Sequence, residues 1–282
     1  MPNTLLLHPT TSHQHQALLR ALPQAILVSG PNGAGKRTIA KTFTGVIADK
    51  QFILEISPEE GVISIDTIRK VKDFLRRKTT GKSEIRRMVV IYEAQSMPTE
   101  AQNALLKVLE EPPADTVFVL TTSDIQKLKP TIRSRTQRLV VVPVALESAL
   151  EHFKKAGHST QDIEKAYHIS RGNVGLLHAL LEDAQDHELV KAIDEAKNIL
   201  KLDSYNRLLR VEQLSKDKTE LSLLLEGLER VAGSGLKLAG QQNDKPRLRQ
   251  FYRIAEEVQQ AKNELSVNAN TKLVLTKLFM DM

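Results

Sequence analysis

The chain has 282 residues, room for about two domains, and 41% hydrophobic residues, enough for a sizeable core; aromatics are only 4% and Trp is absent, so that core must be mostly Leu, Ile, Val and Ala, as in parallel sheets and helical bundles. The absence of cysteine excludes disulfides, thiolate zinc sites and cysteine nucleophiles. Forty Lys and Arg against 34 Asp and Glu give a net charge of +6, an excess that matters through its placement. No apolar run approaches the roughly 18 residues of a membrane span, and the amino terminus lacks a basic stretch followed by an apolar one. The expected compartment is the cytoplasm, with no membrane partner.

Five apolar strand candidates punctuate the first half: Ala25–Ser29, Phe52–Ile56, Met88–Tyr92, Thr116–Thr121 and Leu139–Val142. Amphipathic segments separate them, the alternation of parallel strands with crossover helices. After Pro143 the strand signal stops. Ala145–Ala156, Ile163–Tyr167 and Val174–Leu181 read as helices, with a turn at 170–173. From about 190 onward the pattern is helical, clearest at Leu221–Val231, Leu248–Ala261 and Leu273–Met280. The glycine-bearing stretch Gly233–Pro246 reads as a connection containing a loop.

Gly30-Pro31-Asn32-Gly33-Ala34-Gly35-Lys36 follows the first strand and precedes a helical pattern at Thr38–Phe43. This is a phosphate-loop context: glycines let backbone N–H groups face phosphate, Lys36 adds charge, and the helix amino terminus adds to the field. The pattern wants Ser or Thr directly after the lysine, because that hydroxyl binds Mg²⁺. Arg37 stands there, and Thr38 comes one residue late.

Further on, Ala101, Ala104, Leu105, Val108 and Leu109 mark one apolar helix face. Pro112-Pro113 stops the helix, and Thr116 to Leu120 suits a strand buried on both faces. Residues 99–138 hold LLKVLEEPP and PTIRSRT. With the glycine loop, these resemble the LLKxLEEPP and PTIxSRC motifs of the bacterial clamp-loader branch of the AAA+ ATPases. The resemblance covers the first 180 residues well; it is weaker in the last 90, where VNANTKLVLTKLF is similar to that family's terminal pattern.

The resemblance implies a fold of α/β plus all-α class. An AAA+ P-loop domain with a parallel five-stranded sheet would take residues 1–143, a helical lid 144–188, and a helical collar 189–282 through which subunits assemble. It implies ATP or ADP at Gly30, Gly33, Gly35, Lys36, Arg37 and Thr38, with Thr121 and Thr122 at a sensing position; whether the site binds nucleotide is open on the sequence. Tyr92 occupies the position of the metal-binding aspartate, leaving Glu93 as a degenerate acidic residue. Gly175 occupies the position of a phosphate-sensing arginine. Mg²⁺ is therefore poorly provided for, and the four-cysteine zinc module of common bacterial members is missing. Arg135 falls where the family keeps an arginine that acts on a neighbour's ATP, and Arg133 reads as its structural partner.

Between Arg69 and Arg87 stand nine basic residues (Arg69, Lys70, Lys72, Arg76, Arg77, Lys78, Lys82, Arg86, Arg87) against Asp73 and Glu84. Ser64 can cap a helix there whose buried stripe is Ile65, Ile68, Val71 and Leu75. The segment resembles the family's ISIDxIR motif, which implies DNA-backbone contacts from Arg69, Lys72, Arg76, Arg77 and Lys78; a solvated basic face is the alternative. The implied partners are gamma/tau-like and delta-like clamp-loader subunits, a sliding clamp and primed DNA. The implied role is a subunit that does not hydrolyse ATP itself. Alternatives are an ATP-hydrolysing motor subunit, an AAA+ protein of DNA repair, and, on the glycine loop alone, a metabolite kinase.

Overall fold

The computed structural model describes residues 5–47, 49–79, 83–184 and 186–282. It divides into two compact units, Met1–Val144 with Asn173–Gly175, and Ala145–Gly172 with Leu176–Met282. In the first, strands β1 (Ala25–Ser29), β2 (Ile53–Ile56), β3 (Arg87–Ile91), β4 (Thr116–Thr122) and β5 (Gln137–Val140) form one parallel sheet in the order β2-β3-β4-β1-β5. Helices α1 (Pro9–Arg20), α2 (Lys36–Thr44), α3 (Ile65–Leu75), α4 (Thr99–Glu110) and α5 (Pro130–Ser134) join and cover it.

Burial on both faces explains the strand composition. Leu27, Val89, Ile91, Phe118 and Leu120 share a core with Ile68 and Val71 of α3 and Leu105 of α4. Their alternating neighbours Ile26, Val28, Met88, Val90, Val117 and Val119 pack with Leu18 of α1 and Ile39 and Phe43 of α2. A strand whose successive side chains both meet a helix layer has no polar face, which is why these strands read as continuous apolar runs. Each observed strand lies within two residues of its expected bounds.

Helix α1 carried no signal. Its sequence, PTTSHQHQALLR, is polar, and it forms because the His8 ring accepts the Thr10 N–H and Pro9 opens the first turn. Its buried Thr11 donates to the Val140 carbonyl and accepts the Val142 N–H, both at 3.0 Å, tying the helix to the end of β5.

The elements of the second unit, among its described residues, are all helices: α6 (Leu146–Lys155), α7 (Thr160–Ser170), most of α8 (Val174–Leu181), α9 (Glu188–Lys201), α10 (Ser204–Leu209), α11 (Val211–Leu214), α12 (Lys218–Gln241), α13 (Lys245–Ser266) and α14 (Thr271–Asp281). The expected connection at 233–246 is a correction: α12 runs unbroken through Gly233, Gly235 and Gly240, and only a short turn precedes α13. Glycine costs up to about 1 kcal/mol in a helix interior, but here it permits close packing. A Cβ at 235 would lie 2.6 Å from the Phe251 ring, and one at 227 would lie 2.5 Å from the Ala192 carbonyl oxygen.

Gly227→Ala should therefore destabilise the protein by about 1–3 kcal/mol through overpacking against backbone. Gly240→Ala, whose Cβ would meet only Leu248 at 3.9 Å, should be neutral or stabilising by up to about 1 kcal/mol. Urea unfolding of both variants checks the contrast.

Candidate functional site

Three loops leave the carboxyl ends of β1, β3 and β4, where ligands of open α/β sheets bind. Residues 30–35 follow β1, Tyr92-Glu93 follow β3, and Thr121-Thr122 end β4. Gly33 and Gly35 take left-handed backbone, φ 77° and 85°, which bends the loop back onto the start of α2. Lys36 is the first residue of α2; it is buried, and its Nζ donates to the Pro31 carbonyl at 2.8 Å. Glycine backbone, a lysine and a helix amino terminus make a cradle suited to phosphate. Thr38, two residues after Lys36 on α2, is exposed.

The residues do not fit a divalent cation, which takes oxygen ligands. At the two positions where the resemblance implies metal ligands stand a guanidinium and a phenol, and they touch: Arg37 Cζ lies 4.3 Å above the centre of the Tyr92 ring. Such stacking is a cation–π contact. Arg37 also reaches Ser57 Oγ at 3.4 Å. Tyr92 is 2% exposed, and its O–H donates to Glu55 Oε2 at 3.0 Å. Burial first, and then the hydrogen bond and charge of Glu55, push the phenol up to about 12, so it stays a neutral donor at physiological pH.

Glu93 is exposed and left-handed, φ 52°, and its N–H donates to Thr121 Oγ1 at 2.9 Å. Thr122 is fully buried, and its hydroxyl bonds the carbonyl and N–H of Asp124, closing the turn after β4. Of the two threonines, Thr121 is the one joined to Glu93. At 175 a Cβ would lie 2.8 Å from Gly35 N and 2.9 Å from the Gly33 carbonyl oxygen. No side chain can stand there in this arrangement, an arginine least of all.

Arg135 follows α5, its side chain 38% exposed. Nη1 donates to the Thr131 carbonyl at 3.2 Å, and Nη2 lies 3.2 Å from Glu110 Oε1. Arg133 instead reaches Gln126 at 3.3 Å. The turn that launches α5 is fixed by a residue the sequence reading passed over. Gln102, buried in α4, donates to the Met97 and Lys127 carbonyls and accepts the Lys129 N–H at 2.9 Å. Its one available signal was an amide beside the buried Ala101, where a polar group must be hydrogen-bonded to be tolerated.

On α3, Ser64 accepts the Thr67 N–H as a cap, and the buried residues are Ile68, Val71 and Phe74, with Leu75 half-buried. Arg69, Lys72, Arg76, Arg77 and Lys78 are all exposed. Arg69 pairs with Asp66 at 2.6 Å and Arg76 with Asp73 at 3.5 Å, both in solvent. Arg87 does not belong to this patch, which corrects the count of nine. It is buried, its guanidinium bonded to Asp115 Oδ1 at 2.6 Å and to the carbonyls of Leu75 and Arg77. Lys82 lies outside the described residues. Arg87 and Asp115 thus anchor the end of α3 from which the exposed cations project.

The parallel sheet with its phosphate loop, and the helices of the second unit, have the AAA+ fold. A family model described as DNA polymerase III, delta subunit matches residues 49–145. The DNA polymerase III subunit delta' of Pseudomonas aeruginosa is 28% identical over 63% of this chain and 61% of its own length. The subunit gamma of Buchnera aphidicola is 28% identical over 79% of this chain and 70% of its own. The match thus spans less than two thirds of the Pseudomonas relative. A gamma subunit-related protein from Thermotoga maritima shares the fold, with a TM-score of 0.50 at 22% identity over 96% of this chain and 97% of its own. The chain is thus similar to clamp-loader subunits of DNA polymerase III.

Burial works to raise the Asp115 carboxyl, but hydrogen bonds from Arg87 and Thr79 and the charges of Arg87 and Arg86 hold it below the usual carboxylate range. A depressed carboxylate stabilises the fold above its unfolded value of about 4 and loses that contribution as pH falls through the folded value. Asp115→Asn should cost about 3–5 kcal/mol at neutral pH, because it strands the buried Arg87 charge. The gap to the unsubstituted protein should shrink below about pH 4, as read from thermal melts across pH.

Proposed function

We propose that this chain is a clamp-loader subunit of the delta-prime kind, which turns over little or no ATP itself and offers Arg135 to ATP bound on a neighbouring subunit. In this reading residues 1–143, 144–188 and 189–282 serve as nucleotide domain, lid and collar. The partners are gamma/tau-like and delta-like subunits, the sliding clamp and primed DNA. One observation carries the reading: the positions that would handle metal and γ-phosphate hold Arg37, Tyr92 and Gly175, while Arg135 is kept and exposed. Phosphoryl transfer depends on metal and on positioned charge rather than on covalent chemistry. Losing those groups disables the chain's own site and leaves intact what it can supply to another. ATP or ADP at the glycine cradle remains compatible with this role as a bound, unhydrolysed ligand.

The extent of the match to a gamma subunit favours a second reading, an ATP-hydrolysing motor. The stacked Arg37 and Tyr92 oppose it, because they put a cation and a neutral phenol bonded to Glu55 where anionic or free oxygen ligands for a metal would be needed.

The test is steady-state ATPase of the complex reconstituted with its own gamma/tau-like subunit. The chain alone should show negligible turnover. Arg135→Ala should leave assembly intact on gel filtration, yet cut clamp- and DNA-stimulated hydrolysis sharply, since an arginine finger is worth roughly 10³–10⁵ at the site it serves. Lysine should rescue poorly, lacking the planar fork. Turnover by the chain alone that Lys36→Ala abolishes would favour the motor reading.

The basic turn should bind the DNA backbone without sequence preference. Reversing Arg76 and Arg77 to Glu should weaken primed-DNA binding by the assembled complex and make its dependence on salt shallower, by roughly 1–2 in log–log slope. Unchanged affinity at low salt would reduce the patch to a solvated face.

A further inference from the structure

We infer that Glu110 is a positioning residue for the Arg135 guanidinium, fixing where it is presented to the neighbouring subunit; this rests on the reading of Arg135 as a trans-acting finger. Glu110 is the last residue of α4, which Pro112-Pro113 cannot continue. A carboxylate in the last helical turn faces the negative end of the helix dipole and is unfavourable there without a cation. Arg135 Nη2, at 3.2 Å, is that cation.

Both ends of the pair start from fixed backbone. Leu109, beside Glu110, is buried in the sheet core. Arg135 follows Ile132, fully buried, and its N–H donates to the Ile132 carbonyl at 3.1 Å. The Gln102 side chain bonds Lys127 and Lys129, so α4 also sets where α5 begins. One helix therefore fixes the turn at its first end and the arginine at its last.

The guanidinium has five N–H donors in a plane. Thr131 accepts from Nη1 and Glu110 lies beside Nη2 as an ion pair, which leaves the guanidinium further donors for phosphate oxygens. The pair is solvent-exposed, the side chains 38% and 51% accessible. An exposed pair orients without binding tightly, so Glu110 need not be displaced when phosphate arrives.

A double-mutant cycle in the reconstituted complex, with clamp and primed DNA, tests the assignment. Glu110→Ala should lower kcat about two- to fivefold, the range an exposed ion pair can supply, with KM for ATP unchanged. Glu110→Gln, which keeps an acceptor oxygen, should recover most of the rate. In an Arg135→Ala background Glu110→Ala should have no further effect, since residues that act as a unit are not additive. Unchanged or raised kcat in Glu110→Ala, or the same fold loss without Arg135, overturns the assignment. If Arg135→Ala alone is sharply impaired while Glu110→Ala is silent, only the role of Glu110 falls. If Arg135→Ala is fully active, the finger reading falls with it.

Discussion

The first unit depends on β1 being buried on both faces and hydrogen-bonded on both edges. Ile26 and Val28 meet one helix layer, Ala25 and Leu27 the other, and β4 and β5 flank the strand in register. A strand so enclosed cannot slip, because a shift of one residue would exchange its two faces. The glycine loop that follows it therefore leaves at a fixed height beside the ends of β3 and β4. The Gly30 N–H, donated to the Thr122 carbonyl at 3.2 Å, records that alignment. The side chains of the site owe their proximity to strand register more than to any bond among themselves.

Much of this was legible in the sequence because strands buried on both faces leave an unambiguous trace. Ala25–Ser29 was read with its observed bounds, and Val174–Leu181 likewise. Helix α1 was not legible, since its stability comes from a histidine cap, a proline start and a threonine that serves strand β5, none of which produces apolar periodicity. The run Gly233–Pro246 misled for the opposite reason. Its glycines are strong breakers as local signals, and only the side chains of α13 and Arg171 packed against them reveal why they sit inside a helix. Tertiary contact overrode local propensity there.

The site was legible as a set of positions but not as a set of contacts. Charge counting placed Arg87 with its neighbours on a basic face, whereas a buried carboxylate at Asp115 draws it inward. A count along the chain cannot see a partner 28 residues away. Thr121 and Thr122 are indistinguishable by type, and only the strand's pleat decides which hydroxyl meets Glu93. The pairing of Arg37 with Tyr92 was likewise invisible, although each had been noticed alone. Together they set an organic cation on an aromatic face at the start of α2.

That pairing changes what a single substitution can do. An aspartate at 92 would place a second carboxylate near Glu55, to which the Tyr92 hydroxyl now donates a hydrogen bond, and like charges repel. A serine at 37 would remove the cation from the Tyr92 ring without creating a second metal ligand. An arginine at 175 would meet the backbone of Gly33 and Gly35 at less than a van der Waals radius sum. A substitution at 92 or at 175 therefore meets a neighbour already in place, a carboxylate in the one case and loop backbone in the other.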